Sequence, residues 1–404
     1  MNGKEIIFLS GISKLETNEE RWNPFPWYRE MREHNPIFFD EQQRVWNVFR
    51  YEDVKRVLSD YKTFTSERER STIPIQLESS INLTSVDPPE HRKRRGLLAS
   101  AFTPRSLDAW KPRIQAVVDF LIQGISAEDL SKPVDIYERF AVRLPVTIIA
   151  DLLGVPNSDW EQIKEWSDIL FLPHHQEEIE ETTKQKAKVM KEFGAYLLPL
   201  VKQKRSQPQD DILSNLTQAE YEGTKLTDEE VVGSGIGLLG AGNETTTTWL
   251  TQCFYYFAKE GVYPQLRKQP ELIPQACEEV LRYHFIASLD RAVKEDTDVL
   301  GVPMKRGEIV IAWMSSANRD ERQFVNGETF DIHRQNSKEH LSFGNGQHFC
   351  LGAPLARLET QYAMTSFMKE FANIRLVEGY RPWDHLVSHG STLTSLPIYI
   401  DREY

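Results

Sequence analysis

One of the chain's three cysteines, Cys350, sits in FGNGQHFCLG, residues 343–352, beside one histidine and among three glycines. It is either a small buried hydrophobe or a sulfur held in one chosen position. Gly344 and Gly346 open backbone conformations that other residues avoid. Gly352 and Ala353 leave room for a flat object at the start of a helix that continues as APLARLETQYAMTSFMKEF. A cysteine near a helix N-terminus has its thiolate favoured by free amides and by the dipole. His348 is close enough to add a donor. Zinc does not fit, because no further cysteine or suitably spaced histidine is near. One thiolate beside a large flat cofactor suggests haem.

A second stretch breaks a rule. In LTDEEVVGSGIGLLGAGNETTTTWLTQCFYYFAKEG, five glycines (233, 235, 237, 240 and 242) fall within ten residues. Each weakens a helix by about 1 kcal/mol relative to alanine. Close helix packing would explain them, as would a ligand lying flat against Ala241. The hydroxyl of Thr245 can bond back to the Ala241 carbonyl and bend the helix. Glu244 beside Thr245 is then an acid next to an alcohol, a natural proton-relay pair. A plain packing role for the threonine run stays open.

Two charged clusters carry weaker signals. In QACEEVLRYH, Glu279 and Arg282 share a helix face, which on a surface would mean nothing. In HRKRR, His91 and Arg95 point the same way and could grip a buried carboxylate, while Arg92 and Lys93 point elsewhere.

The elements that must position these residues are mostly helical. IFFD and RVWNVF predict a hairpin around residues 41–43, and YEDVKRVLSDY predicts a helix. From 87 to about 282 the pattern is helical almost throughout. Asp87, Pro88 and Glu90 predict a capped helix start. Thr227 and Glu230 predict a capping box opening a helix of about 33 residues, roughly 50 Å long, with Gly261 as its stop. Being apolar on most sides, that helix should cross the interior. A strand is expected at 308–313 and a hairpin arm at TLTSLPIYI. The charged stretch HHQEEIEETTKQKAK reads as a solvated face. The fold class is mainly α with small β-sheets (α+β), in one domain spanning 1–404.

Composition is that of an ordinary soluble globular protein: 404 residues, 40% apolar and 27% charged. The three cysteines, far apart in sequence, form no disulfide framework and fit a reducing compartment. A net charge of −12 argues against nucleic-acid binding. The N-terminal IIFL run lacks the features of a signal peptide, and no stretch approaches the roughly 18 apolar residues of a membrane span. A cytoplasmic protein without a membrane anchor is expected.

Taken together, F-G-x-G-x-H-x-C-x-G at 343–352, AGNETT at 241–246, E-x-x-R at 279–282, and ANRD followed by FDIHR at 330–334 resemble the motifs of the cytochrome P450 superfamily, in the family's order and over essentially the whole chain. DPPEHRKRR, FTPRSL and CLGAPLARLE resemble the bacterial class, and within it soluble hydroxylases of steroids, terpenoids and fatty acids. The resemblance implies a long central helix over haem b (iron protoporphyrin IX). Cys350 would be the proximal thiolate ligand, with Phe343 packed on its sulfur side. His91, Arg95, Arg291 and His348 would bind the haem propionates. Thr245 would hydrogen-bond dioxygen, with Glu244 supplying protons. Ala241, Gly344 and Gly352 would shape the backbone around the macrocycle, and Glu279, Arg282 and Arg334 would form a buried network steadying the cysteine loop. Segments 75–83, 170–174, 238–241, 285–289 and 393–396 would line an apolar pocket. Gly327, where the family usually has proline, would loosen its turn.

The resemblance further implies oxygen insertion into a C–H bond, using O2 and two electrons from an external ferredoxin or flavodoxin with its reductase. Arg92 and Lys93 would help dock that partner, and the enzyme would be a monomer. A peroxygenase using hydrogen peroxide, or a haem-thiolate sensor without turnover, would not need the Glu244–Thr245 pair.

Overall fold

In the computed structural model the described residues are 5–7, 15–71, 83–171, 179–285, 287–386 and 392–402. The elements framing the site are, in chain order, strands β1 (Ile37–Asp40) and β2 (Val45–Val48), helix α1 (Tyr51–Ser59) and strand β3 (Phe64–Thr65). Helices α2 (Glu90–Ala99) and α3 (Pro104–Ser126) follow, then strand β4 (Val134–Asp135) and helices α4 (Arg143–Leu153), α5 (Trp160–Phe171), α6 (Ile179–Ser206), α7 (Asp228–Lys259) and α8 (Ile273–His284). Strands β5 (Leu289–Val293) and β6 (Ile309–Ala312), helix α9 (Ala353–Glu370), and strands β7 (Asn373–Leu376) and β8 (Pro397–Asp401) complete the set.

One sheet has the order β1-β2-β6-β5-β3, and a smaller one the order β7-β8-β4. In the larger sheet β2 and β6 run parallel and the other neighbours antiparallel. The β1–β2 hairpin forms as expected, with Asp40 opposite Val45. The C-terminal strand starts later than TLTSLPIYI suggested, at Pro397. It pairs with β7 and β4 rather than forming a simple hairpin arm.

The anticipated central helix is α7, 32 residues long and opened by the Thr227–Glu230 capping box. Gly261 follows its end with φ +65°, the left-handed conformation that closes many helices. Trp249, Leu250, Phe254 and Phe257 bury α7 in the largest apolar cluster. The cap on α2 is a correction. Pro89 takes the N-cap position and no side chain caps the helix. The Asp87 carboxylate lies too early and instead accepts from Thr65 Oγ1 (2.6 Å) and the Ser66 amide (3.0 Å).

Two cysteines distant in sequence, Cys253 on α7 and Cys277 on α8, meet in the core as buried, unlinked thiols. Among the described residues, no helix is long and apolar enough to cross a membrane.

Candidate active site

The loop before α9 turns at Gly344 (φ +74°) and Gly346 (φ +71°), where a side chain would be strained. At Gly346 the space is also closed, since a Cβ would lie 2.8 Å from Ser59 Cα at the end of α1. The returning chain is tied by the Cys350 amide to the Phe343 carbonyl at 2.8 Å. The Cys350 sulfur, half-buried, is met by the amides of Gly352 and Ala353 at the start of α9. Gly352 has an ordinary φ of −81°, and a Cβ there would stand 4.0 Å from Cys350 Sγ. Burial pushes the thiol pKa up, while those two amides, Arg95 and Arg357 pull it down. Burial prevails, so the thiolate needs a metal cation to form fully.

Beside the loop, positive groups converge with little to neutralise them. The rings of His91 and His348 are 4.2 Å apart. His348 is driven down to about 3 by burial and then by Arg291, His91, Arg68 and Arg95. Burial and Arg68 lower Arg291 to about 10. Burial and Arg95 lower His91, whose buried Nε2 has no hydrogen-bond partner. The nearest carboxylates are engaged elsewhere. Asp290 accepts a two-point bond from Arg68 (2.6 and 3.0 Å), and Asp87 accepts from Thr65 and Ser66. So His91 and Arg95 share a side as expected, while the neighbouring carboxylates Asp87 and Asp290 are bonded to Thr65, Ser66 and Arg68 instead. Such a cluster is suited to an external anion. Arg68, which lacks any sequence signal, braces it.

On α7, every residue from Val231 to Phe257 is buried except Gly237, Leu238, Ala241, Gly242, Glu244 and Thr245. Ala241 and Thr245, one turn apart, are exposed in the middle of a helix that is otherwise core. Thr245 Oγ1 donates to the Ala241 carbonyl at 2.9 Å, the back-bond foreseen from sequence. One turn further on, Trp249 packs edge-on against Phe343 (5.9 Å), linking this face of α7 to the cysteine loop. The glycines divide between two roles. At Gly235 a Cβ would lie 3.1 Å from Leu213 Cδ2, a packing constraint, whereas at Gly242 only ordinary contact with Ile149 would result. Burial and then Asp168 raise the Glu244 pKa, against Lys164 and Lys186. Burial in turn lowers Lys186 to about 8.

The E-x-x-R pair is fully buried, not a surface pair. Arg282 grips Glu279 at 2.8 and 2.7 Å and spends its other hydrogens on the carbonyls of Asn318, Gly327 and Thr329. Arg334 joins at 3.2 Å. Gly327 is a correction: its turn is tight, because a Cβ would come within 2.5 Å of the Arg319 carbonyl oxygen. Of the pocket segments, 83, 170, 171, 238–241, 285, 287–289 and 393–396 are described, while 75–82, 172–174 and 286 lie outside the described residues.

A haem fits this donor set: one sulfur at a helix start, a convergent cationic cluster with an orphaned histidine nitrogen, and a helical turn exposed at Ala241 and Thr245. Comparison with known proteins agrees. The family model for cytochrome P450 matches residues 3–401, and the chain belongs to that family of haem-iron monooxygenases. Cytochrome P450(MEG) of Priestia megaterium is 48% identical over 99% of this chain and 100% of its own length. Cytochrome P450(BM-1) of the same species is 45% identical, with the same coverage of both chains. Among solved structures, CYP109E1 from Bacillus megaterium in complex with corticosterone superposes with a TM-score of 0.84 at 39% identity, covering 94% of this chain and 99% of that one. The fold is accordingly the helix-rich P450 fold with small sheets.

Proposed function

We propose that this monooxygenase hydroxylates a hydrophobic small molecule of the steroid, terpenoid or fatty-acid type, with steroids first among them. The observation that carries this reading is the exposed Ala241–Thr245 turn of an otherwise buried helix, flanked by Leu238. An apolar ligand would rest there against the one alcohol able to pass a proton. The likeness to CYP109E1, whose structures contain corticosterone and testosterone, supports a steroid.

Cys350 is the residue to ligate haem iron, as haem b. His91, Arg95, Arg291 and His348 receive its carboxylates, which offset the burial, and the neighbouring positive charges, that depress His91, Arg291 and His348. Phe343, held between the Cys350 amide and Trp249, covers the sulfur side. Ala241, Gly344 and Gly352 keep side chains out of the way. When bound, the haem supplies activation of O2, one atom entering a C–H bond and the other leaving as water. Thr245 holds a proton at Oγ1, its donor direction set by the Ala241 carbonyl. Glu244 replenishes that proton, because burial raises its affinity for protons toward the working range. Two electrons come from an external ferredoxin or flavodoxin with its reductase, docking near exposed Arg92 and half-buried Lys93. We further propose a cytoplasmic, monomeric, single-domain enzyme.

A carbon monoxide difference spectrum of the reduced protein tests the ligation. A strongly red-shifted Soret band is expected, and a band typical of histidine-ligated haem would overturn it. Titration with corticosterone, testosterone and long-chain fatty acids tests the substrate class by spin-state change. No response to any of them would remove the hydrophobic-substrate reading.

A further inference from the structure

Two adjacent glutamates on α8 face different ways. Glu279 belongs to the network with Arg282 and Arg334, but Glu278, equally buried, points toward α9 and the cysteine loop. Its carboxylate accepts two bonds from Arg357, Nε to Oε1 at 2.6 Å and Nη2 to Oε2 at 2.9 Å. His340 Nε2 lies 3.2 Å from the same Oε2. The Ser342 amide donates to His340 Nδ1 (3.1 Å), so the imidazole proton sits on Nε2 and is donated to Glu278. Both partners of Glu278 then meet one ring. The Arg357 guanidinium carbon is 4.7 Å from the Phe343 centroid, and the His340 ring centroid is 5.6 Å from it. Phe343 is the residue whose carbonyl holds the Cys350 amide. The unit carries one negative and one positive charge, with a neutral imidazole.

We propose that Glu278, Arg357 and His340 form a neutral clamp on Phe343, in which Arg357 is a positioning residue that sets the electron affinity of the Cys350-ligated centre. The inference rests on the haem-thiolate reading above. A guanidinium fixed against Phe343 stabilises extra negative charge at the sulfur, and Glu278 limits how strongly it does so. Arg357 is also among the groups that favour the Cys350 thiolate. A cation–π contact holds the guanidinium in place only while its bidentate partner orients it.

The test is potentiometric titration of full-length, haem-loaded wild type, Glu278→Gln, Arg357→Met and the double variant. Glu278→Gln should raise the reduction potential, by an uncompensated cation. Arg357→Met should lower it, and the double variant should return close to wild type. Each single shift should correspond to about a tenfold change in the reduction equilibrium at an effective dielectric near 20. Arg357→Lys, which keeps the charge and loses the two-point geometry, should recover only part of the shift and covers the case in which Met does not fold. Equal or same-direction shifts, or loss of haem with an unchanged potential in the remainder, would overturn the clamp. The wild-type carbon monoxide spectrum separates this from failure of the underlying reading: a histidine-type band would discard both, and a thiolate-type band with flat potentials only the clamp.

Discussion

The two sides of the cysteine loop obey opposite rules. Toward α8, Glu279 and Arg282 are wholly buried and their hydrogen-bonding groups engage protein partners. Toward α7, Thr245 keeps one back-bond and is exposed, and Glu244 is desolvated among Asp168, Lys164 and Lys186. A saturated network has nothing left with which to do chemistry, but it fixes backbone. An open, electrostatically strained pair costs stability and is ready to exchange protons. The contrast separates what builds this enzyme from what would work in it.

The largest effect should come from breaking the saturated side. Glu279→Ala leaves Arg282 and Arg334 facing each other without their shared carboxylate, and a broken buried pair costs about 3–5 kcal/mol. Thermal unfolding should show a transition lowered by several degrees and poor haem retention; a near-native transition would contradict the assigned role. On the open side, Glu244→Gln should leave unfolding nearly unchanged and slow turnover by about 10²-fold. Thr245→Ala should keep oxygen consumption but divert it to hydrogen peroxide, measured as peroxide released per product formed.

Smaller in size is an acid-stability effect at Glu278. Burial pushes its carboxyl up, but Arg357 and His340 outweigh burial and hold it at about 2, below the ordinary 4.5. The unfolded chain therefore binds more protons between those values. Stability from this group is fully present above about 4.5 and is lost as pH falls toward 2. Glu278→Gln should flatten that limb in equilibrium denaturation at pH 2–5. Smallest of all, Lys186→Met removes a positive neighbour that opposes the rise in the Glu244 pKa. The pH–rate profile of turnover should shift toward higher pH, without change in stability near neutrality.

Which of these features could be read from sequence follows from how far apart the partners lie. The Thr245 back-bond spans four residues, the Thr227–Glu230 box three, and the β1–β2 hairpin a single turn. Each is a local rule written in residue types. Arg68 with Asp290, Arg357 with Glu278, and Cys253 against Cys277 join segments whose meeting depends on the tertiary path of the chain. In the cationic cluster, the shared side of His91 and Arg95 was legible from helical spacing, Arg291 only through family resemblance, and Arg68 had no local pattern. Asp87 failed as a cap for a local reason, since two prolines moved the helix start beyond its reach. Gly327 misled because glycine reads as freedom, whereas here the Arg319 carbonyl leaves no space for anything larger.

The burial of Cys253 and Cys277, at 0% and 2% exposure, has a practical consequence. With both sealed in the core, Cys350 is the only sulfhydryl of the folded chain that an aqueous reagent can reach, and a bound iron would occupy it. Counting reactive thiols thus becomes a colour-independent measure of cofactor loading: one equivalent labelled per empty chain, none per filled chain, and three after denaturation.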